Sequence, residues 1–344
     1  MKRTVKYTII LLIILIAMAI VAASLGSASI SLKDTAKIMA SYIPGIRNLI
    51  DTSTLSSNDF AIITRIRLPR IITSILVGIA LASSGVIFQG IFRNPMADPY
   101  IIGVSAGASF GATVGLLFAT GIRLASISLV SVFAFGGAVG VTLLVYNISR
   151  IRGRVSVLTL LLAGVAISAM LSSINSFILM FQSQDLARVI FWLMGGLTAS
   201  SWQQLTIIAP IVIVLLTAAA FFTNELNIIS LGDNRATQLG VNTEQVKKLL
   251  LVLASLIAAA AVSVSGIIGF VGLITPHILR LIVGPDHKIL YPTSALAGGI
   301  VLLASDTIAR MVLMPREIPV GIITSIVGVP FFIYLLIRSK RQVF

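Results

Sequence analysis

The chain has 344 residues, 57% of them hydrophobic and 10% charged, with a mean hydropathy of +1.07. A soluble domain carries about 25% charge, so this much apolar surface has no soluble core to hide in, and the bilayer must be its solvent. The net charge of +14 does not mark a nucleic-acid binder, because the cations lie in short segments between apolar runs, and the lack of Cys with only His277 and His287 excludes disulfides, thiolate chemistry and a His-rich metal site.

The apolar runs predict an all-α, polytopic membrane protein of about ten transmembrane helices, one domain over 1–344. Lys2, Arg3 and Lys6 precede the first run, over 7–30. Small residues Ala22, Ala23 and Ser24 follow it as in a cleaved signal, but the apolar part is about 18 residues, longer than a signal's, so a retained helix is expected. The polar stretch 31–57, with Pro44 and Gly45, reads as a loop with one surface helix. The second span covers 69–92 and is broken by Arg93-Asn94-Pro95-Met96-Ala97-Asp98-Pro99, where two prolines in five residues cannot continue a helix. The third and fourth spans cover 100–120 and 125–148, and the fifth 155–181. An amphipathic stretch follows to 197, then the sixth span over 205–222. The longest interior polar segment, 223–248, separates it from the seventh span at 249–268. A short eighth span at 274–283, a ninth at 292–313 and a tenth at 320–337 complete the chain. The excess of Lys and Arg in alternate loops places both termini in the cytoplasm, although the opposite face is unusually basic around Arg65, Arg67 and Arg70.

Gly103, Gly107, Gly111 and Gly115 recur every four residues and form one bare stripe on the third span. Such a stripe lets another helix backbone approach closely, and packing is its expected role. Ionisable residues inside apolar runs are few: Asp306 and Arg310, four apart, can share a face, and His277 and Arg280 lie three apart. Charges in a membrane are functional candidates, unless they sit at helix ends and reach water or one another. An ion-coupled carrier wants carboxylates near the midplane, where Asp306 and Glu317 are the only candidates and Glu317 falls in a predicted turn. The chain contains no Gly-Lys pair and therefore no phosphate-binding loop, and no paired acid–base set suggests an intramembrane enzyme. If the protein does work, the energy must come from another subunit. In the polar segment, LNIISLGDNRATQLGVNTEQVKK, Asp233 can cap a short helix and Gly240 can end it. That helix is expected to be about six residues long, with Ala236 and Leu239 on one side. It suits docking to a soluble partner, and an ordinary surface loop is the alternative.

From about Arg65 to Leu336 the motifs occur in the order of a known family. They include Arg67-Leu68-Pro69-Arg70, the run RNPMADP at 93–99, LLLAGVAIS at 160–168, WLMGGL at 192–197, LGDNRATQLGV at 231–241, GFVGLITPHILR at 269–280 and EIPVG at 317–321. The chain resembles the permease subunits of ATP-binding-cassette importers for iron–siderophores, haem and cobalamin. The resemblance implies a multi-pass protein of the cytoplasmic membrane, a homodimer with a central path between the two copies' fifth and tenth helices. It implies two ATPase subunits on one side, carrying the ATP and Mg²⁺, a substrate-binding protein on the other, and no cofactor on this chain. Leu231, Gly232, Asp233, Arg235, Ala236, Gln238, Leu239 and Gly240 match the family's coupling helix, expected to touch the ATPase. Arg67, Arg70 and Arg310 match the positions that meet acidic residues of the binding protein, with Asp306 a structural partner of Arg310. Asn94, Pro95 and Met96 match a gate on the cytoplasmic side, and Ser156, Val157, Leu158 and Thr159 resemble a second. Met96 and Thr275 stand where the family usually has Leu and Val.

Overall fold

The computed structural model describes residues 2–26, 28, 30–42, 56–118, 123–124, 127–151, 154–181 and 186–340. Helix α1 is Lys2–Ser24 and α2 is Leu32–Ala40. Helix α3, Ser57–Ala61, runs through a π-helical segment, Ile62–Arg67, into α4, Leu68–Phe92. A 3-10 turn, Pro99–Ile102, leads to α5 (Val104–Phe118), α6 (Leu129–Ile148), α7 (Val157–Met180), α8 (Leu186–Leu193) and α9 (Trp202–Ala220). Then come α10 (Thr223–Ser230), α11 (Asp233–Gln238), α12 (Thr243–Ser265), α13 (Val271–Val283), α14 (His287–Met311) and α15 (Val320–Lys340). Among the described residues the only strands form two small hairpins, 123–124 with 127–128 and 150–151 with 154–155.

Seven helical stretches are long and apolar enough to cross a membrane, and α5, α13 and 320–335 of α15 are shorter apolar helices. Together they correspond one to one with the ten apolar runs. Boundaries differ where a polar side chain decides them. The first helix begins at Lys2 and ends at Ser24 rather than covering 7–30. The expected surface helix is α2, whose N-cap Ser31 accepts from Asp34 N. Asp286 accepts from Lys288 N and starts α14 at His287, so Pro292 lies inside the helix instead of opening it.

Helices α4 and α12 are buried over 78% and 72% of their most apolar window, α7 over only 17%. Helix α4 is therefore central, and α7 offers most of its surface to lipid or to another chain. Glycine sets the contacts at this centre. Gly78 of α4 and Gly298 of α14 lie so close that a Cβ on either would collide with the other's carbonyl oxygen, and Gly85 meets the Gly272 carbonyl of α13 in the same way. The stripe on α5 faces α6: Gly107 opposes Gly137 reciprocally, Gly111 meets the Phe133 carbonyl, and Gly115 meets Val130. Gly103, at φ +86, closes the 3-10 turn and faces Val141. Lipid tails are as apolar as Leu, so such helices associate through close van der Waals contact rather than by hiding from water.

Candidate functional site

Helix α4 has 25 residues and, at 1.5 Å each, is about 37 Å long. A cluster of charged side chains stands at each of its ends.

At the first end Arg67 donates from Nη1 to Ala23 O (2.6 Å) and Ser24 O (3.0 Å), and from Nη2 to Ala28 O. Arg310 of α14 donates to Ala22 O (3.1 Å) and Leu25 O (3.3 Å). These carbonyls lie in or just beyond the last turn of α1, where the final four have no partner within the helix. Two guanidiniums satisfy them and meet the negative end of the helix dipole. Arg70 forks onto Asp306 through Nε (3.0 Å) and Nη2 (2.8 Å), and its Nη1 reaches Glu317 at 2.8 Å. Asp306 is fully buried, and Arg310 Nε lies 3.3 Å from its Oδ2 in an ion pair too poorly aligned to be a hydrogen bond. The expected Asp306–Arg310 pair is thus present, with Arg70 as a third member. The three arginines matched to partner docking are brought together, but as an internal network: Arg67 and Arg310 are 5% and 8% exposed. Among the described charged residues near this end, Arg65, Arg316 and Glu317 are exposed. No signal in the sequence connects Arg67 to the end of α1. Beside Arg70 and Glu317 a cavity of about 480 Å³ opens, lined also by Trp192, Gln204, Gly266 and Ile318, which sequence reasoning missed. Gln204 Oε1 is buried there without a hydrogen-bond partner among the described residues.

The second end joins α11 to the turn after α4. Helix α11 has the expected six residues, but its N-cap is Gly232, at φ +109, and not Asp233. Positive φ at Gly232 turns the chain one residue earlier, so Asp233 enters the first turn and its carboxylate swings to Lys247 Nζ at 2.7 Å. Gly240 follows in the left-handed conformation, φ +85. Ala236 is buried, whereas Leu239, the C-cap, is 61% exposed, so the two are not buried together. Leu231, Arg235 and Gln238 are exposed with it. Arg93, left-handed at φ 49, ends α4. Asn94 N then donates to Gln89 O (3.2 Å), while Asn94 Oδ1 accepts from Met96 N (2.9 Å). Asn94 and Pro95 are exposed and Met96 half-buried. Asp98 starts the 3-10 turn by accepting from Tyr100 N at 2.7 Å, and burial pushes its carboxyl up to about 6 against that bond. Ser156 caps α7 through Thr159 N (3.4 Å), leaving Leu158 exposed and Val157 and Thr159 half-buried.

A third set of polar contacts sits inside this end. Arg280 donates to Gln89 Oε1 at 3.2 Å rather than meeting His277, and Gln89 Nε2 donates to Leu273 O at 3.0 Å. His287 donates its backbone N–H to Asn227 Oδ1, with Nδ1 also 2.8 Å away, and Asn227 Nδ2 donates to Asp286 Oδ1 at 2.7 Å. Helices α10, α13 and α14 are thereby fastened around the end of α4.

The FecCD transport family model matches residues 11–338. The cobalamin import system permease protein BtuC of Halobacterium salinarum is 45% identical over 277 residues, 80% of this chain and 73% of that protein. The hemin transport system permease protein HmuU of Yersinia pestis is 38% identical over 338 residues, 96% of this chain and 95% of that one. A solved ABC transporter assigned to the metal-chelate type, in an inward-facing conformation, superposes with a TM-score of 0.83 at 31% identity, covering 97% of this chain and 99% of its own. A bundle of apolar helices with no nucleotide-binding loop, matched along almost its whole length, leaves one conclusion: the chain belongs to the FecCD transport family, a membrane-embedded permease subunit of an ABC importer and not an enzyme.

Proposed function

We propose that two copies of this chain form a path across the cytoplasmic membrane for a metal chelate, switched by two partner ATPases and fed by an extracytoplasmic binding protein. The observation that carries the reading is α11: a six-residue helix between two spans, flanked by Leu231 and Leu239 at 55% and 61% exposure, in a chain without a phosphate-binding-loop motif. Exposed apolar side chains on a polar segment suit a protein partner, and the distribution of Lys and Arg favours a cytoplasmic position for that segment and both termini. Alternating access needs mobile walls, and α7 and α15 suit that role. Both leave apolar side chains uncovered in a single copy, among them Leu162, Val165 and Phe177 on α7 and Ile326, Val327 and Tyr334 on α15. The relatives named for cobalamin and hemin point to a large chelated metal as cargo.

An autonomous ion-coupled carrier has less support. Asp306, the one carboxylate well inside a span, is held by two arginines and is not free to bind and release a coupling ion. Purification from native membranes in mild detergent tests the reading. A stoichiometric ATPase, and uptake of cobalamin or hemin by proteoliposomes only with ATP inside the vesicle-equivalent of the cytoplasm, are expected. A chain that purifies alone and transports without ATP would remove it.

A further inference from the structure

Asp233 stands in the segment matched to ATPase contact, yet its carboxylate points back into its own chain. It accepts from Lys247 Nζ of α12 at 2.8 and 2.7 Å and lies 4.0 Å from Arg93 Nη2. The Arg93 guanidinium also lies beside the N-cap of α11: a Cβ on Gly232 would be in ordinary van der Waals contact with Nη1, at 3.5 Å. Arg93 is the C-cap that follows Phe92, the last residue of α4, and is one peptide bond from Asn94, whose side chain closes the turn through Met96 N.

We infer that Asp233 and Arg93 are a positioning pair through which α11 sets the conformation of the turn 93–96, so that displacement of α11 by a partner is passed to the gate in that turn. The inference rests on the importer reading and adds the residues that link its two cytoplasmic parts. Three features favour it. The Asp233–Lys247 contact is short and Lys247 is 18% exposed, so it fastens α11 to α12. The Asp233–Arg93 contact is at the limit of an ion pair, with both side chains about half exposed, so it is made and broken easily. Arg93 occupies the left-handed region, which a side chain other than glycine adopts at a cost and leaves readily when its support moves. No slack separates it from Asn94.

The chain has no Cys, so Met96→Cys introduces a single thiol into it at the turn. The complex with the ATPase that co-purifies is placed in lipid nanodiscs. The rate of N-ethylmaleimide modification of this chain is then compared without nucleotide and with ATP plus vanadate. In Met96→Cys alone the rate should change about fivefold or more, the usual lower bound of coupling between sites. Added to that background, Arg93→Gln and Asp233→Asn should each abolish the difference while the ATPase still co-purifies. The two together should do no more than either, as members of one contact do. Arg93→Lys, which keeps the charge, should retain the response, showing that loss in Arg93→Gln is not misfolding. A full response in Arg93→Gln would overturn the pair. So would loss of response in Lys247→Gln and Asp233→Asn but not in Arg93→Gln, since Asp233 would then only fasten α11 to α12. Absence of any nucleotide effect in Met96→Cys alone would count against the importer reading itself and take the inference with it.

Discussion

Arg70 and Arg93 stand near opposite ends of α4, and each faces a carboxylate. Arg70 reaches a fully buried Asp306 at 2.8 Å, inside a network that includes Arg310. Arg93 reaches Asp233 at 4.0 Å with both side chains about half in water. Coulomb attraction at similar range is worth several times more where water is excluded, but there each charge must also be matched. The first end is therefore built to stay as it is: removing one member strands the others. The second is built from contacts that water already half replaces. The difference teaches that charge near a helix end in this chain is not one device. At one end it fixes α1 and α14 to the central helix; at the other it leaves a joint.

The sharpest way to break that comparison is Asp306→Asn. It leaves Arg70 and Arg310 buried without their shared anion and should lower stability by about 3–5 kcal/mol, read as a large fall in melting temperature in detergent. A change no larger than at a surface pair would mean that water reaches this end too. Next comes Gly111→Leu, which forces α5 away from the Phe133 carbonyl and should cost about 1–3 kcal/mol. Gly140→Leu on α6, where a Cβ would meet nothing within 4 Å, should be tolerated by the same assay. Arg93→Gln should move the melting temperature little, since its pair with Asp233 is half exposed and an exposed pair is worth about 0–1 kcal/mol, even where it alters nucleotide response.

The smallest expected effect concerns pH. Burial acts to raise the Asp286 carboxyl, but the Asn227 amide, the Lys288 N–H and the Lys288 charge outweigh it and hold the group below its ordinary 3.8. A depressed carboxylate contributes stability that is present above 3.8 and is lost as pH falls through the lower, folded value. Melting temperature should thus decline below about pH 4 from this group, and Asp286→Asn should flatten that part of the curve.

Much of the second end was legible in the chain. Two prolines after Arg93 stop α4, and the spacing from Asp233 to Gly240 gives the length of α11. The error at Asp233 was local: Asp is a good cap, but Gly232 at φ +109 can turn the chain one residue sooner, and the carboxylate then finds Lys247. The first end was legible only as a list of charges. The pairing of Asp306 with Arg310 follows from helical spacing, yet the roles of Arg67 and Arg310 as caps on α1 depend on carbonyls far away in the sequence. The glycine stripe on α5 announced its own contact, whereas Gly78 and Gly298 do not repeat in a stripe and became meaningful only when α4 and α14 met.

By itself the sequence determined the solvent, the number of apolar segments and the places where they break. Transfer into a bilayer is a sum over neighbouring residues, and proline and glycine act on the backbone where they stand. Only the tertiary structure decided which charges are spent inside and which face outward. An arginine's worth depends on the carbonyl or carboxylate that reaches it, and that is settled by which helix ends come together, not by the residues beside it.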